Sequence, residues 1–153
     1  PIFWINGTND FAYVMSSWQK SYRLRRGDRT LSLQVRMKHS HPDGAKPEEV
    51  FAYADARLRS GHALVKVTKQ GIAPGEVWAT YGKQTAPVKA ELCYTRDTGK
   101  WQDRKWETLP AEIDGSRRRV AARIPADARV YYLNLVDERG LIVSSEHEMA
   151  PGQ

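Results

Sequence analysis

The sequence begins PIFWINGTND (residues 1–10) and, after a helix-like segment, continues LSLQVRMKHSH (residues 31–41), and these two stretches decide the predicted fold. Each is an apolar run with a polar end: Asp10 follows the first, and His39 and His41 follow the second. Strand, helix and strand in this order are typical of a parallel α/β sheet, in which the residues after neighbouring strands meet at one edge. We therefore predict that a carboxylate and an imidazole come together there as an acid–base pair.

Residues 1–62 alternate between strand and helix patterns. We predict strands at residues 2–6 and 31–37 and helices at residues 14–24 and 47–59, from apolar positions that recur with the period of each element. Two parallel strands are too few for a stable sheet, and their outer edges need partners. We therefore expect this half to be the carboxyl end of a larger doubly wound parallel sheet.

Residues 63–153 follow a different pattern, in which short alternating runs are separated by turn sequences such as DTGK (residues 97–100) and DGS (residues 114–116). About seven such strands with regular turns are typical of an immunoglobulin-like or fibronectin-III-like sandwich. The predicted fold class is therefore α/β plus all-β. It comprises the incomplete end of a doubly wound parallel sheet at residues 1–62 and a β-sandwich domain at residues 63–153.

Composition and charge exclude several classes of protein. The chain has 24 Lys and Arg against 18 Asp and Glu, a net charge of +6, but its basic residues are scattered, with the densest runs at residues 23–26 and 117–119. A nucleic-acid-binding surface needs a basic stripe with interleaved aromatic residues, so we expect no nucleic-acid partner. No apolar run approaches the roughly 20 residues of a membrane span, so we expect no membrane segment.

Cysteine and metal chemistry are also disfavoured. The single cysteine, Cys93, excludes an internal disulfide, and no histidine lies near it in the sequence to activate its thiol. A metal cluster of His39, His41 and Asp43 is disfavoured because a zinc site needs three or four ligands and no further ligand is close. We therefore expect neither a metal nor a cofactor.

Asp10, His39 and His41 each have an interpretation without catalysis. Asp10 suits a turn or a helix cap, and the two histidines suit a polar loop after a strand. Their order favours a catalytic role instead. In α/β-hydrolases the chain order is nucleophile, acid and base, and the acid fixes the tautomer of the histidine that takes the proton from the nucleophile. An aspartate after one strand and a histidine after the next fit the last two members.

Three stretches carry a resemblance to a known family: WINGTNDFAY (residues 4–13), MKHSHPDG (residues 37–44) and PEE (residues 47–49). They resemble the end of the α/β-hydrolase domain in the acetyl xylan esterase and prolyl-oligopeptidase-like group. The later stretches KWQDRKW (residues 100–106) and YYLNLVDERGL (residues 131–141) look like the β-sandwich appended to some of these enzymes.

The resemblance implies a role for each candidate residue. Asp10 matches the family acid, and His41 matches the family base better than His39 does. His39 then becomes a neighbour that lines the pocket, together with Asn9 and Phe11. The sequence contains no G-x-S-x-G nucleophile elbow, so the serine and the oxyanion hole are expected upstream of this sequence.

The predicted function is thus that of the C-terminal part of a serine hydrolase, a carboxylic-ester hydrolase or less readily a peptidase, which supplies the acid and base of a Ser-Asp-His triad. A small-molecule ester or peptide is then bound with the missing upstream half, and the family resemblance implies a secreted or periplasmic location. The alternative is a non-catalytic module whose β-sandwich binds carbohydrate or a protein. In that alternative, Trp101 and Trp106 are either exposed stacking platforms or core residues.

Overall fold

The computed structural model describes residues 1–24 and 27–150; Arg25 and Arg26, which belong to the basic run at residues 23–26, lie outside the described residues. The helices are α1 (Met15–Leu24), α2 (His41–Gly44) and α3 (Glu49–Leu58), with a 3₁₀ turn at Trp101–Asp103. The strands are β1 (Ile2–Asn9), β2 (Arg29–Lys38), β3 (Val67–Ala73), β4 (Glu76–Tyr81), β5 (Lys89–Thr95), β6 (Glu107–Pro110), β7 (Glu112–Asp114), β8 (Arg119–Arg123), β9 (Val130–Val136), β10 (Ile142–Ser144) and β11 (Glu148–Met149). None of the helices in these ranges has the length and apolar character needed to span a bilayer.

The strands form two sheets. The larger sheet has the order β1-β2-β10-β9-β5-β6, with β11 also paired to β9, and the smaller sheet has the order β3-β4-β8-β7. β1 and β2 run parallel, whereas the other described pairings are antiparallel. The large sheet is therefore mixed, and the small sheet is antiparallel.

The predicted fold class, with a doubly wound parallel sheet of the α/β-hydrolase type, is wrong. Strands hold 42% of the residues and helices 18%, so the protein is mostly β, and the described residues contain no doubly wound parallel sheet. The unit of β1, α1 and β2 does form with parallel strands, but β2 next pairs with antiparallel β10, at Leu31 and Ser144. The apolar pattern of β2 indicates burial on both faces, but it carries no information about the direction of the neighbouring strand.

Hydrogen bonds cross the predicted boundary between residues 62 and 63. That boundary lies between α3 and β3, yet β2 from the first segment and β10 from the second are neighbours in the large sheet. The two predicted segments therefore share one sheet. The stacking of the small sheet on β5 and β9 keeps the β-sandwich character that the second segment predicts.

The large sheet is buried on both faces. On one face Leu133 of β9 belongs to a core cluster with Val77 of β4 and Val120 of β8, which joins the two sheets. On the other face Tyr132 of β9 shares a second cluster with Tyr22 of α1. Because neighbouring residues of a strand point to opposite faces, Tyr132 and Leu133 serve different cores. The protein thus has three layers: α1, the large sheet and the small sheet.

Candidate acid–base site

The candidate site lies where β1 and β2 end, beside an irregularity in their pairing. The two strands pair in register up to Gly7, but the next pair is Asn9 with Lys38. Residues 35–37 of β2 therefore lie opposite Thr8 alone. This β-bulge sets the position of the residues that follow both strands.

Gly7 and Arg36 have the backbone properties that this bulge needs. The backbone of Arg36 has a φ of 62°, in the left-handed region, and its N–H donates to Thr8 Oγ1 at 2.8 Å. Gly7 lies so close to the other strand that a Cβ atom there would stand 2.1 Å from the carbonyl oxygen of Met37. A side chain at position 7 is therefore incompatible with this approach of the two strands.

Asp10 is a buried carboxylate whose two oxygens have different partners. Its Oδ1 accepts hydrogen bonds from the backbone N–H groups of Ala12 and Tyr13, both at 2.7 Å. Its Oδ2 lies 2.9 Å from Nδ1 of His39. Asn6 closes the same loop, because its Nδ2 donates to the Tyr13 carbonyl at 2.6 Å. With Oδ1 fixed by two backbone groups, Oδ2 is presented to the imidazole.

His39 is held at the protein surface, with one ring nitrogen hydrogen-bonded to Asp10 and the other without a partner among the described residues. Its side chain is 40% exposed. The rings of Phe11 and Tyr13 flank the imidazole, with centroids 5.2 and 5.5 Å from that of His39. In the part of the chain that the structure describes, no group hydrogen-bonds to Nε2. When Nδ1 donates its proton to Asp10, Nε2 carries a lone pair that can accept a proton from another group.

The structure brings Asp10 together with His39 and not with His41. His41 is the first residue of α2 and is exposed, and it has no side-chain hydrogen bond to Asp10 within the described ranges. The geometry that we predict for Asp10 and His41 is therefore observed between Asp10 and His39.

A helix cap accounts for the position of His41. Ser40 is the N-cap of α2: its Oγ accepts from the Asp43 N–H at 3.0 Å and donates to Asp43 Oδ2 at 2.8 Å. Pro42 lies in the first turn. A serine three residues before an acid, with a proline between them, is a signal for a helix N-terminus. The sequence therefore contains a signal that the chain enters a helix directly after His39, which favours His39 as the partner of Asp10.

Asn9 anchors the end of β1 to the segment between β5 and β6. It is buried, and its Nδ2 donates to the carbonyl oxygens of Gln102 at 3.1 Å and of Arg104 at 2.8 Å. Asn9 was predicted to line the same pocket as His39. Its side chain holds the end of β1, directly before Asp10, in place, so Asn9 also acts as a positioning residue.

The described residues offer no nucleophile to this acid–base pair. No serine, threonine or cysteine side chain among them hydrogen-bonds to the His39 imidazole. The Ser40 hydroxyl is hydrogen-bonded to Asp43 in the helix cap. Cys93 is fully buried in the core, and this burial raises the pKa of its thiol to about 12, so the thiol stays protonated at neutral pH.

The structure also places the residues considered for metal binding and for sugar stacking. His39, His41 and Asp43 do not form a metal cluster, since the described ranges contain no group of three His, Cys, Asp or Glu side chains placed to hold an ion. Trp101 and Trp106 are buried in the core cluster that contains α1. They are therefore core residues and not exposed stacking platforms.

Tyr13 is a residue of the site that sequence analysis does not single out. It lies two residues after Phe11, and both rings are exposed beside His39. The signal in the sequence is the pair of aromatic residues in a short loop between a strand and a helix. Large apolar side chains in an exposed loop have no role in the core, which makes them candidates for contact with a ligand.

Comparison with known proteins does not assign this chain to a family. No family model, no curated protein and no solved structure matches it. The functional interpretation therefore rests on the geometry around Asp10 and His39.

Proposed function

We propose that Asp10 and His39 are the acid and the base of a serine-type carboxylic-ester hydrolase whose nucleophile lies outside these 153 residues. The main support for this proposal is the geometry of the imidazole. Asp10 Oδ2 lies 2.9 Å from His39 Nδ1, and Nε2 of His39 has no hydrogen-bond partner among the described residues. An imidazole that is fixed by a carboxylate at one nitrogen and open at the other meets the requirement for proton transfer to and from a substrate.

In this reaction His39 takes the proton from the serine hydroxyl as the serine oxygen attacks the ester carbonyl carbon. The imidazolium then gives this proton to the leaving alkoxide, and in the second half of the cycle His39 activates a water molecule in the same way. Asp10 keeps Nδ1 protonated and stabilises the imidazolium without taking the proton itself. The developing oxyanion needs hydrogen-bond donors, which we assign to the segment that supplies the serine.

The surroundings of Asp10 and His39 support these roles. Because Oδ1 of Asp10 accepts two backbone hydrogen bonds, the carboxylate is held in one orientation toward the imidazole. Phe11 and Tyr13 provide an apolar surface beside His39, on which the acyl or alcohol part of a small ester can pack. A peptide is the second substrate class. The resemblance of residues 4–13 and 37–44 to the end of an α/β-hydrolase domain agrees with this chemistry, although the sheet arrangement differs.

The test is hydrolysis of p-nitrophenyl acetate by the polypeptide whose reading frame includes these residues, with fluorophosphonate labelling of its serine. His39→Ala and Asp10→Asn are each expected to lower kcat/KM by about a thousandfold or more. His41→Ala is the matched control and is expected to stay within about threefold of the wild type. The 153-residue chain alone is expected to hydrolyse the ester no faster than a control protein with the same number of histidines.

The two histidine variants decide between three outcomes. Loss of activity in His41→Ala with retention in His39→Ala would make His41 the base in the working protein. Full activity in both variants would overturn the proposal. Turnover by the isolated chain that disappears in His39→Ala would mean that a local nucleophile exists.

Carbohydrate binding without catalysis is a second candidate function. The exposure of Phe11 and Tyr13, at 61% and 65%, favours it, because exposed aromatic rings can stack on the apolar faces of sugars. Titration with xylohexaose tests this candidate. It requires weaker binding in Phe11→Ala and Tyr13→Ala, unchanged binding in His39→Ala, and no esterase activity in the polypeptide that carries the sequence.

A further inference from the structure

A basic pocket lies at the ends of β1 and β2, where Asn9 and Lys38 line it. Its volume is about 500 Å³, and the segment at residues 104–107 forms its other wall. Asn9 immediately precedes Asp10 in the chain, and Lys38 immediately precedes His39. The pocket and the acid–base pair are therefore built on the same two strand ends.

The charges that line this pocket are mostly positive and not neutralised. Four of the lining residues are basic, Arg36, Lys38, Arg104 and Lys105, and one is acidic, Glu107. Among the described residues, none of the four forms an ion pair with a carboxylate.

Glu107, the acidic residue of the pocket, already has a cationic partner. Glu107 forms an ion pair with Arg96, and its Oε2 accepts a hydrogen bond from the Tyr94 hydroxyl at 2.9 Å. Its charge is therefore already compensated by Arg96. The four cations of the pocket keep a charge that an anionic ligand can neutralise.

Arg104 is a buried cation with an unused donor. Its side chain stacks on Trp101, with the guanidinium carbon 3.7 Å from the ring centroid, and only 6% of the residue is exposed. Nε and Nη2 donate to the Gly99 carbonyl, whereas Nη1 has no partner in the described part of the chain. Burial also lowers the pKa of Arg104, and the nearby Asp97 carboxylate offsets this effect only in part.

Trp106, which also lines the pocket, carries a second buried donor without a partner among the described residues. It is 1% exposed, and its indole Nε1 has no hydrogen-bond partner in the residues described. A buried donor without an acceptor is costly, and here two of them occur on residues that line one cavity. An oxyanion offers several acceptor positions and a negative charge, so it can neutralise the surrounding cations and accept from a buried donor that reaches the pocket.

We propose that this pocket binds an oxyanion, a carboxylate or a phosphate group, carried by the ligand of the neighbouring acid–base pair. The exposed Arg36, Lys38 and Lys105 attract the anion, and a small movement of the Arg104 side chain brings its guanidinium into a charge-assisted contact. The proposed binding of an anion by these residues does not depend on the proposed catalysis. The use of the pocket as a substrate subsite rests on the proposed function, and it then makes the substrate an ester that also carries a negative charge.

Calorimetric titration of the 153-residue chain tests the anion site without any need for catalysis. The probes are glutarate for a carboxylate, glycerol 3-phosphate for a phosphate, and neutral glutaramide as the uncharged control. We expect saturable binding of at least one anion, no binding of glutaramide, and a shift of the Trp106 indole N–H resonance on binding. Whether glutarate or glycerol 3-phosphate binds more tightly identifies the source of the oxyanion.

Arg104→Gln is expected to weaken binding about tenfold, the size of one charge-assisted hydrogen bond. Arg59→Gln, directly after α3, is the control arginine variant and is expected to have no effect. Since Arg104 is buried, the double variant Lys38→Gln/Lys105→Gln repeats the test at exposed positions, where folding is not at risk. His39→Ala is expected to leave anion binding unchanged, so the anion site and the proposed catalysis fail separately. Equal binding of glutaramide and glutarate, or undiminished binding in the double lysine variant, would overturn the proposal.

Discussion

Two histidines of this chain lie in opposite environments, and the contrast separates the site from the core. His39 lies at the surface, with a carboxylate 2.9 Å from Nδ1. His147 is fully buried, stacks on Trp18, and has a tyrosine hydroxyl, that of Tyr22, 3.3 Å from Nδ1. The histidine side chain thus lies once at the surface beside a carboxylate and once in the core, where it is excluded from solvent.

The pKa of His147 shows what this exclusion does. Burial lowers it to about 3, and the nearby positive charge of Arg23 acts in the same direction. His147 therefore stays neutral in the folded protein and works as a core residue that joins α1 to the end of the chain. A carboxylate partner and an open ring nitrogen, rather than the presence of a histidine, therefore mark the candidate site.

The largest expected effect concerns the backbone that positions His39. In Gly7→Ala the new Cβ would stand 2.1 Å from the Met37 carbonyl oxygen, so the two strands must separate at the bulge. We expect a loss of about 3 kcal/mol or more in the free energy of unfolding. Urea denaturation measures it. Gly115→Ala is the matched control, since nothing lies within 4 Å of a Cβ there. Equal stability of the two variants would mean that the bulge does not hold the site.

The local elements around this bulge are predictable from the sequence, but the partners of the strands are not. Periodicity places β1, α1 and β2 close to their observed positions. The pairing of β2 with β10 joins residues more than one hundred positions apart, and no local pattern specifies such a contact. Similarly, residues 101–108 alternate like a strand, whereas a 3₁₀ turn forms at Trp101–Asp103, because both tryptophans of this segment are drawn into the core.

The candidate site was predictable from the sequence in part, as the fold was. Asp10 and the neighbourhood of two histidines follow from the ends of β1 and β2. The choice between His39 and His41 depends on the helix cap at Ser40, which is a local signal that the sequence does contain. The basic pocket beside Asn9 was not predictable from the sequence. Arg104 lies far along the chain from Asn9, and it comes to the pocket because the Asn9 side chain hydrogen-bonds to the backbone of Gln102 and Arg104.

Removal of each imidazole in turn separates the role of His147 in the core from that of His39 at the surface. His147→Ala leaves a cavity between Trp18 and Tyr22, and we expect it to lower the free energy of unfolding by about 2 to 4 kcal/mol. His39→Ala is expected to cost about 1 kcal/mol or less, because the ring is partly exposed and Asp10 keeps its two backbone hydrogen bonds. Urea denaturation of both variants at pH 7.5 gives the two values. A larger cost for His39→Ala would reverse the assignment of the two residues to site and core.

The pH dependence of stability tests the same contrast. The pKa of His147 is about 3 in the folded protein and near 6.5 in the unfolded chain, so the unfolded state binds a proton that the folded state does not. Stability is therefore complete above pH 6.5 and falls as the pH decreases, by up to about 1.4 kcal/mol per pH unit from this residue. Unfolding free energies between pH 7.5 and 5.0 measure this slope. His147→Ala should lose its share of the slope, and an unchanged slope in that variant would show that His147 is not the titrating group.

The smallest expected effect concerns Ser40, which separates His39 from His41. Its Oγ caps α2 through Asp43, so Ser40→Ala removes the cap and should lower the free energy of unfolding by about 0.5 to 1 kcal/mol. Because His39 is held by Asp10 and not by α2, the esterase activity of the polypeptide that carries the sequence should stay within about threefold of the wild type. Thermal unfolding and p-nitrophenyl acetate hydrolysis measure the two quantities. A collapse of activity in Ser40→Ala without a matching loss of stability would make Ser40 the nucleophile, and the serine would then lie within this chain.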